Sequence, residues 1–398
     1  MAELDIAWVR EQFSLPENIA FFDNAGGSFT LNRVIDRVAE YMRETPVQLG
    51  ARHRLSVQAS DRLQQATADL AAMIGAQPDE VVIGPASSSL TDRLARAMRG
   101  QLRTGDRIIV TQFDHESNIS PWLRLADHGV EIVIWELNQS TGQVELDDLE
   151  ALLTERTRLL ACTHCTNITG DPVAIGDIRR LTKQAGCQLM VDGVAYAPHR
   201  QVNMAELDVD YYVISLYKVF GPHIGLLYGK REALDRLDNI NLAHMSRGDV
   251  PYKLQPGGTC YELLYGAAGI AHYLQELGSG NLGEAFSLIT KYEEQLTRQF
   301  LNAMNDTDFI VHGSAGDNPQ RLPIMSFHHP KLSSVSICEQ LDRHNIAAKH
   351  GHFHARRLIQ RYGLDPNDGV VRVSLAHYNT SEEVERLIEK LKEVATLP

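Results

Sequence analysis

The stretch YYVISLYKVFGPHIG, residues 211–225, holds one lysine, Lys218, among apolar and aromatic neighbours. A buried, uncompensated ammonium is costly. Either the stem is interior and the head reaches water, or the amine is desolvated and serves as a nucleophile or imine-forming group. Other chemistry-bearing residues follow apolar runs. Ser87, Ser88 and Ser89 follow VVIGP, where they would make an ordinary helix cap or a phosphate site. His115 follows DRIIVTQ, and Asn167 ends RLLACTHCTN. Asp192 closes CQLMVD, as a turn residue or a buried charge with a partner, and Ser215 stands three residues before Lys218. Each signal is weak alone. Their order gives a phosphate-type turn, a histidine, an amide, an acid and Ser-x-x-Lys. That set suits pyridoxal phosphate (PLP), which needs an amine for its aldehyde, an acid at its ring nitrogen and a cup for its phosphate.

The elements that must position these residues are short apolar runs alternating with helical spacing between about 60 and 230. Strands are expected at 81–85, 106–112, 131–137, 158–165, 187–193, 210–218 and 225–230, with helices between them, one at 119–129. This alternation gives an α/β fold with a mostly parallel sheet, whose ligands bind at the carboxyl ends of strands. From 281 the pattern changes to one long amphipathic helix, strands at 321–329 and 370–375, and a final helix, a smaller α+β layer. The expected division is an N-terminal segment 1–20 packing on the small domain, a large cofactor domain 21–280 and a small domain 281–398. No G-x-G-x-x-G or G-x-x-x-x-G-K-[ST] occurs, so dinucleotide and P-loop readings lack their main feature.

The 398 residues are 43% hydrophobic and carry a net charge of −13, which argues against nucleic-acid binding. No run approaches a membrane span, no signal peptide is evident, and five cysteines lack a scaffold spacing. A cytoplasmic protein is therefore expected. The C-x-x-C of Cys162 and Cys165 lacks the helix start or second pair of a redox or zinc motif, so all five cysteines read as packing residues.

The stretch VDGVAYAPHRQVNMAELDVDYYVISLYKVFGPHIGLLYG resembles the core signature of the class V aminotransferases, within fold type I PLP-dependent enzymes, and most resembles their cysteine desulfurase-like branch. FFDNAGG (21–27), DHESNISPW (114–122), TNITG (166–170), PGGT (256–259) and VRVSLAHYNTSEEVERLI (371–388) extend the resemblance through most of the chain. It implies a seven-stranded-type sheet and the following roles. Lys218 bonds the cofactor and then moves the substrate α-proton. Asp192 pairs with the ring nitrogen, His115 stacks on the ring, and Asn167 reaches its phenolic oxygen. Ser87, Ser88 and Ser215 take the phosphate. Thr259 reaches the phosphate of a neighbouring subunit, so a homodimer is implied. Arg372 grips the carboxylate of an amino-acid substrate, with Asn24 and His352 beside it.

Three departures stand out. Tyr217 precedes the lysine where desulfurases usually have His. Ala195 replaces a Gln or His near the cofactor. In KHGHFHARR (349–357) the position of the catalytic desulfurase cysteine falls on His354. The alternating His350, His352 and His354 could bind zinc, but an active-site loop that selects substrate and moves protons is the competing reading, and no metal is expected. The leading expectation is a C–S β-lyase with His354, His352 or Tyr217 protonating the leaving group. The alternatives are an aminotransferase, a racemase or epimerase, and a non-catalytic PLP-fold protein.

Overall fold

The computed structural model describes residues 3–138, 144–314, 318 and 320–396. Seven apolar runs form one sheet; six are buried along their whole length or nearly so, as strands covered on both faces must be, and the edge strand 131–135 is buried only at Trp135. In spatial order they are Val81–Gly84, Gly225–Gly229, Tyr211–Ser215, Gln188–Asp192, Thr157–Thr163, Arg107–Thr111 and Glu131–Trp135. All neighbours pair in parallel except Gly225–Gly229, which runs antiparallel to both its neighbours. Two hydrophobic clusters cover the opposite faces, one centred on Ile109, Cys162 and Val191, the other on Ile108, Ala161 and Met190. This alternation of adjacent residues between clusters is the period of two of a strand.

A four-stranded antiparallel sheet follows in the order Lys349–Gly351, Val370–Ser374, Ile324–His328, Ile310–His312. It packs against helices Leu282–Met304 and Ser381–Ala395 through a third cluster that includes Phe300, Phe327 and Leu387. Helix Ser381–Ala395 starts with a capping box of Thr380 and Glu383. The N-terminal chain joins this layer: Ala20–Phe21 pairs in parallel with Ile346–Ala347, and Arg10 bonds Glu383 at 3.0 Å. Trp8 also stacks on Tyr273 of helix Tyr261–Leu277, so this segment touches both parts of the molecule.

The expected helix 119–129 is instead a single α-turn, Ser120–Leu123, continued as a 3-10 stretch Arg124–His128 and stopped by the left-handed Gly129. The cysteines also differ from expectation. Cys162, Cys165 and Cys187 are buried and Cys338 is half-buried, but Cys260 is exposed, because it caps a helix directly after the surface turn Gly257–Gly258. Among the described residues no helix is long and apolar enough to cross a membrane.

Candidate active site

Lys218 ends a single 3-10 turn, Leu216–Lys218, that follows strand Tyr211–Ser215. Burial lowers its pKa to about 8, and Arg372 pushes the same way, against Asp192 and Asp23. Its side chain is half-buried. It lines a cavity of about 560 Å³ with His115, Asn167, Tyr217, Arg372 and the residues of 349–354.

From the large sheet His115 and Asn167 line that cavity, and Asp192, which does not line it, lies close enough to Lys218 to act on its pKa. Asp192 is buried, and its Oδ1 accepts the Val194 N–H at 2.9 Å. Burial raises its carboxyl pKa, opposed by that N–H and by Lys218. A second acid, Asp114, is also buried and bonded to Thr111 and Asn118, at 3.1 Å each. Burial and then Asp192 push Asp114 well above the carboxylate range, because two buried acids so close resist double ionisation. His115 Nδ1 accepts the Ser117 N–H at 3.1 Å. Burial, followed by Lys218, His354 and Arg372, lowers the His115 pKa to about 3, so its ring is a neutral flat face. Asn167 Nδ2 donates to the Phe353 carbonyl at 2.9 Å.

Ser87 opens helix Ser87–Met98, whose N-cap, Ala86, has no side chain to satisfy the first N–H groups. Ser87 Oγ lies 2.7 Å from Ser215 Oγ, so both hydroxyls meet at that helix end. Gly225 makes the approach possible, since a Cβ there would sit 2.5 Å from the Ser87 nitrogen. Tyr217 stacks on His223, with ring centroids 4.6 Å apart. Ser88 is exposed on the first turn, and Thr259 lies on a surface loop that does not line the cavity.

The other wall comes from the antiparallel sheet. Arg372 is buried on strand Val370–Ser374, where it donates to the Asn167 carbonyl at 3.0 Å and to Asp23 at 3.1 Å. Its guanidinium lies 3.9 Å from the centroid of the Phe353 ring. His354 is exposed, its ring centroid 5.1 Å from that of His115, and its N–H donates to His352 Nδ1 at 3.1 Å. Phe353 and His354 are both left-handed, with φ of 47° and 56°, a conformation that costs energy outside glycine and clusters at functional sites. Asn24 is turned elsewhere: its Nδ2 donates to Ser374 and Asn379, its Oδ1 accepts from Tyr378, and it lines a separate small cavity behind Lys218. No cysteine lines the cavity among the described residues, and none of them group as a three-ligand metal site. Sequence reasoning named neither Asp23, one residue before Asn24 in the quoted FFDNAGG, nor Lys349 and Phe353, both inside the quoted loop.

The residues present fit PLP. Asn167 Oδ1 and Arg372 Nε are buried polar atoms without a partner. The uncapped helix end and two converging hydroxyls form an anion cup. A pyridinium N–H would supply Asp192 with the opposite charge that burial disfavours it keeping alone.

The profile of the family described as aminotransferase class-V matches residues 20–387. Aminotransferase-like protein FGM3 from Gibberella zeae is 38% identical, over 97% of each chain. Cysteine desulfurase-like protein ustD from Aspergillus flavus is 32% identical, over 99% of this chain and 91% of its own. The apo structure of cysteine desulfurase from Thermococcus onnurineus NA1 superposes with a TM-score of 0.91 at 23% identity, over 99% of each chain, a likeness of fold. With its family profile spanning nearly the whole chain, this protein belongs to the class V aminotransferases, in their cysteine desulfurase-like branch, and is a PLP-dependent enzyme.

Proposed function

We propose that the enzyme is a C–S β-lyase acting on an α-amino acid with a sulfur leaving group. The observation that carries this reading is the cavity wall, which presents His350, His352 and His354 and no thiol among the described residues; by resemblance, His354 would take the loop position of the desulfurase cysteine. Cys338, the cysteine nearest in sequence, is half-buried on helix Ser334–Asp342, and burial raises its pKa to about 12.

Bound here, PLP supplies an electron sink for the bonds of the substrate α-carbon. In the proposed assignment Lys218, Asp192, Ser87 and Ser215 hold it, with His115 on its face and Asn167 at its edge. Arg372 binds the substrate carboxylate through a planar fork. Lys218 Nζ takes the α-proton, which a pKa near 8 permits at neutral to mildly alkaline pH. His354 gives a proton to the departing sulfur, and Lys349 and His350 at the same wall favour a leaving anion. Net, cysteine and water become pyruvate, ammonia and sulfide.

Incubation with cysteine and S-alkyl cysteines tests this. Pyruvate and ammonia in equal amounts are expected, and the paired variant Cys260→Ser, Cys338→Ser should keep its rate. Alanine as the main product, with a persulfide on an enzyme cysteine, would overturn the assignment. A second reading, an aminotransferase, is favoured by the name of the 38% identical relative. It requires a 2-oxo acid that retains the substrate's side chain, with accumulation of the amine form of the cofactor.

We further propose a homodimer in which Thr259 reaches the partner's phosphate cup, with residues 21–280 forming the cofactor domain and 281–398 folding over it, in a cytoplasmic setting. Thr259→Ala should weaken cofactor binding without changing the monomer fold, measured by PLP titration and sedimentation.

A further inference from the structure

Directly after Lys218 the chain turns back on itself. Phe220 is left-handed, with φ of 62°, a strained conformation for a bulky residue. Its neighbours hold it there from several sides. The Leu216 N–H donates to the Ile224 carbonyl and the Gly221 N–H to the Leu216 carbonyl, at 2.9 Å each, and the Leu31 N–H donates to the Phe220 carbonyl at 3.0 Å. Ser28 braces the reversal: its N–H donates to the Tyr217 carbonyl at 3.1 Å, and its Oγ accepts the Phe220 N–H at 3.0 Å. His223 stands at the apex of a three-residue turn, closed by the Ile224 N–H on the Pro222 carbonyl at 2.8 Å, and so returns over Tyr217. The two rings are parallel to within 4°, with centroids 4.6 Å apart, an offset stack.

His223 is exposed, and among the described residues its side chain makes this stack and no hydrogen bond. Tyr217, in contrast, lines the cavity, and Gly27 lets its ring lie close, since a Cβ there would stand 3.4 Å from Tyr217 Cδ2. Lys218 Nζ lies over the same ring, 5.9 Å from its centroid, at the edge of cation–π reach. A surface side chain thus touches the ring that the buried amine overlies. We propose that His223 is a positioning residue, which pins the Tyr217 ring in the cavity wall and thereby fixes where Lys218 Nζ rests for proton transfer. The inference rests on the reading of Lys218 as the proton carrier, but not on which bond of the substrate breaks afterwards.

The test is exchange of the α-proton of alanine with heavy water on the PLP-loaded enzyme, followed by NMR. Alanine has no leaving group, so exchange reads the proton transfer whatever reaction the enzyme completes on other substrates. His223→Ala should slow exchange about 3- to 10-fold, the worth of one aromatic stack, with alanine affinity unchanged within about twofold. His223→Phe keeps a flat ring and should restore exchange to within about twofold of wild type. Tyr217→Ala should slow exchange as well, and adding His223→Ala to it should cost nothing further, because the two residues act as a unit. Without cofactor, His223→Ala should melt with wild type, as exposed substitutions do. Unchanged exchange in His223→Ala overturns the proposal. So does a full His223→Ala loss in the Tyr217→Ala background, or a His223→Phe protein as slow as His223→Ala. A lowered melting temperature with an equal loss of alanine affinity would make His223 a structural group only, and overturns it too. No exchange in wild type would instead overturn the role of Lys218, and this proposal with it.

Discussion

The large sheet and the 349–354 segment build opposite walls of one cavity by opposite means. The sheet side is made of buried groups fixed by short bonds: Asp192 on the Val194 N–H two residues on, Ser87 on Ser215, and Asn167 reaching across to the Phe353 carbonyl. Its electrostatics are dominated by burial, which lowers His115 and Lys218 and raises Asp192. The segment wall is exposed at Lys349 and His354, and two successive left-handed residues aim it. Rigid, dry groups suit a cofactor whose chemistry is always the same. An open edge suits the part that differs between reactions, which is the handling of the side chain.

Substitutions can break this contrast, and the sheet wall should give the largest effects. Lys218→Ala removes both the covalent anchor and the proton carrier. Turnover is expected to fall more than about 10³-fold, with the cofactor no longer fixed to the peptide by borohydride. Asp192→Asn keeps size but loses charge. A loss of about 10²-fold or more in kcat with an unchanged melting temperature would show that its role is electronic.

Arg372 bridges the two walls and should show an intermediate effect. Arg372→Ala should raise KM by an amount equivalent to about 2–4 kcal/mol, and Arg372→Lys by less, because a point charge keeps attraction but loses the fork. Unchanged KM in Arg372→Ala would place the carboxylate elsewhere. On the segment wall, His354→Gln should lower kcat by about 10- to 100-fold and leave PLP affinity intact. If PLP affinity falls as much as kcat, the contrast between the walls fails.

The smallest expected effect is on stability. The Lys218 pKa is lowered in the folded protein, from 10.5 to about 8. Between those values the unfolded chain binds more protons, so stability rises with pH there, and below about pH 8 the full penalty is present. Without cofactor, wild type should gain melting temperature relative to Lys218→Met as pH goes from 8 to 10. Parallel curves would show that Lys218 is not desolvated.

Much of this was legible in the chain itself. Apolar runs of strand length located all seven strands of the large sheet, since strands buried on both faces leave a continuous apolar signature. Function was legible where a polar residue breaks such a run at its end, as Asp192 and Lys218 do, because local order along the chain maps onto neighbouring strand ends. The broken helix after Ser120 was less legible: apolar spacing marks a buried face but not whether the turns are α or 3-10.

What only the tertiary structure decided were the meetings of distant segments. Asp23 and Arg372 are an ion pair, Lys349 faces Arg372 across a ladder, and Asn24 spends its amide on Ser374 and Asn379. Nothing at those positions in the sequence announces a partner, because register between strands is set by packing and turns rather than by the charges themselves. Cys260 shows the same limit: a cysteine carries no mark of whether its helix start faces the core or water. Residue type and order determined which chemistry this protein can hold. Only the folding of the C-terminal sheet onto the strand ends decided which distant residues share one cavity.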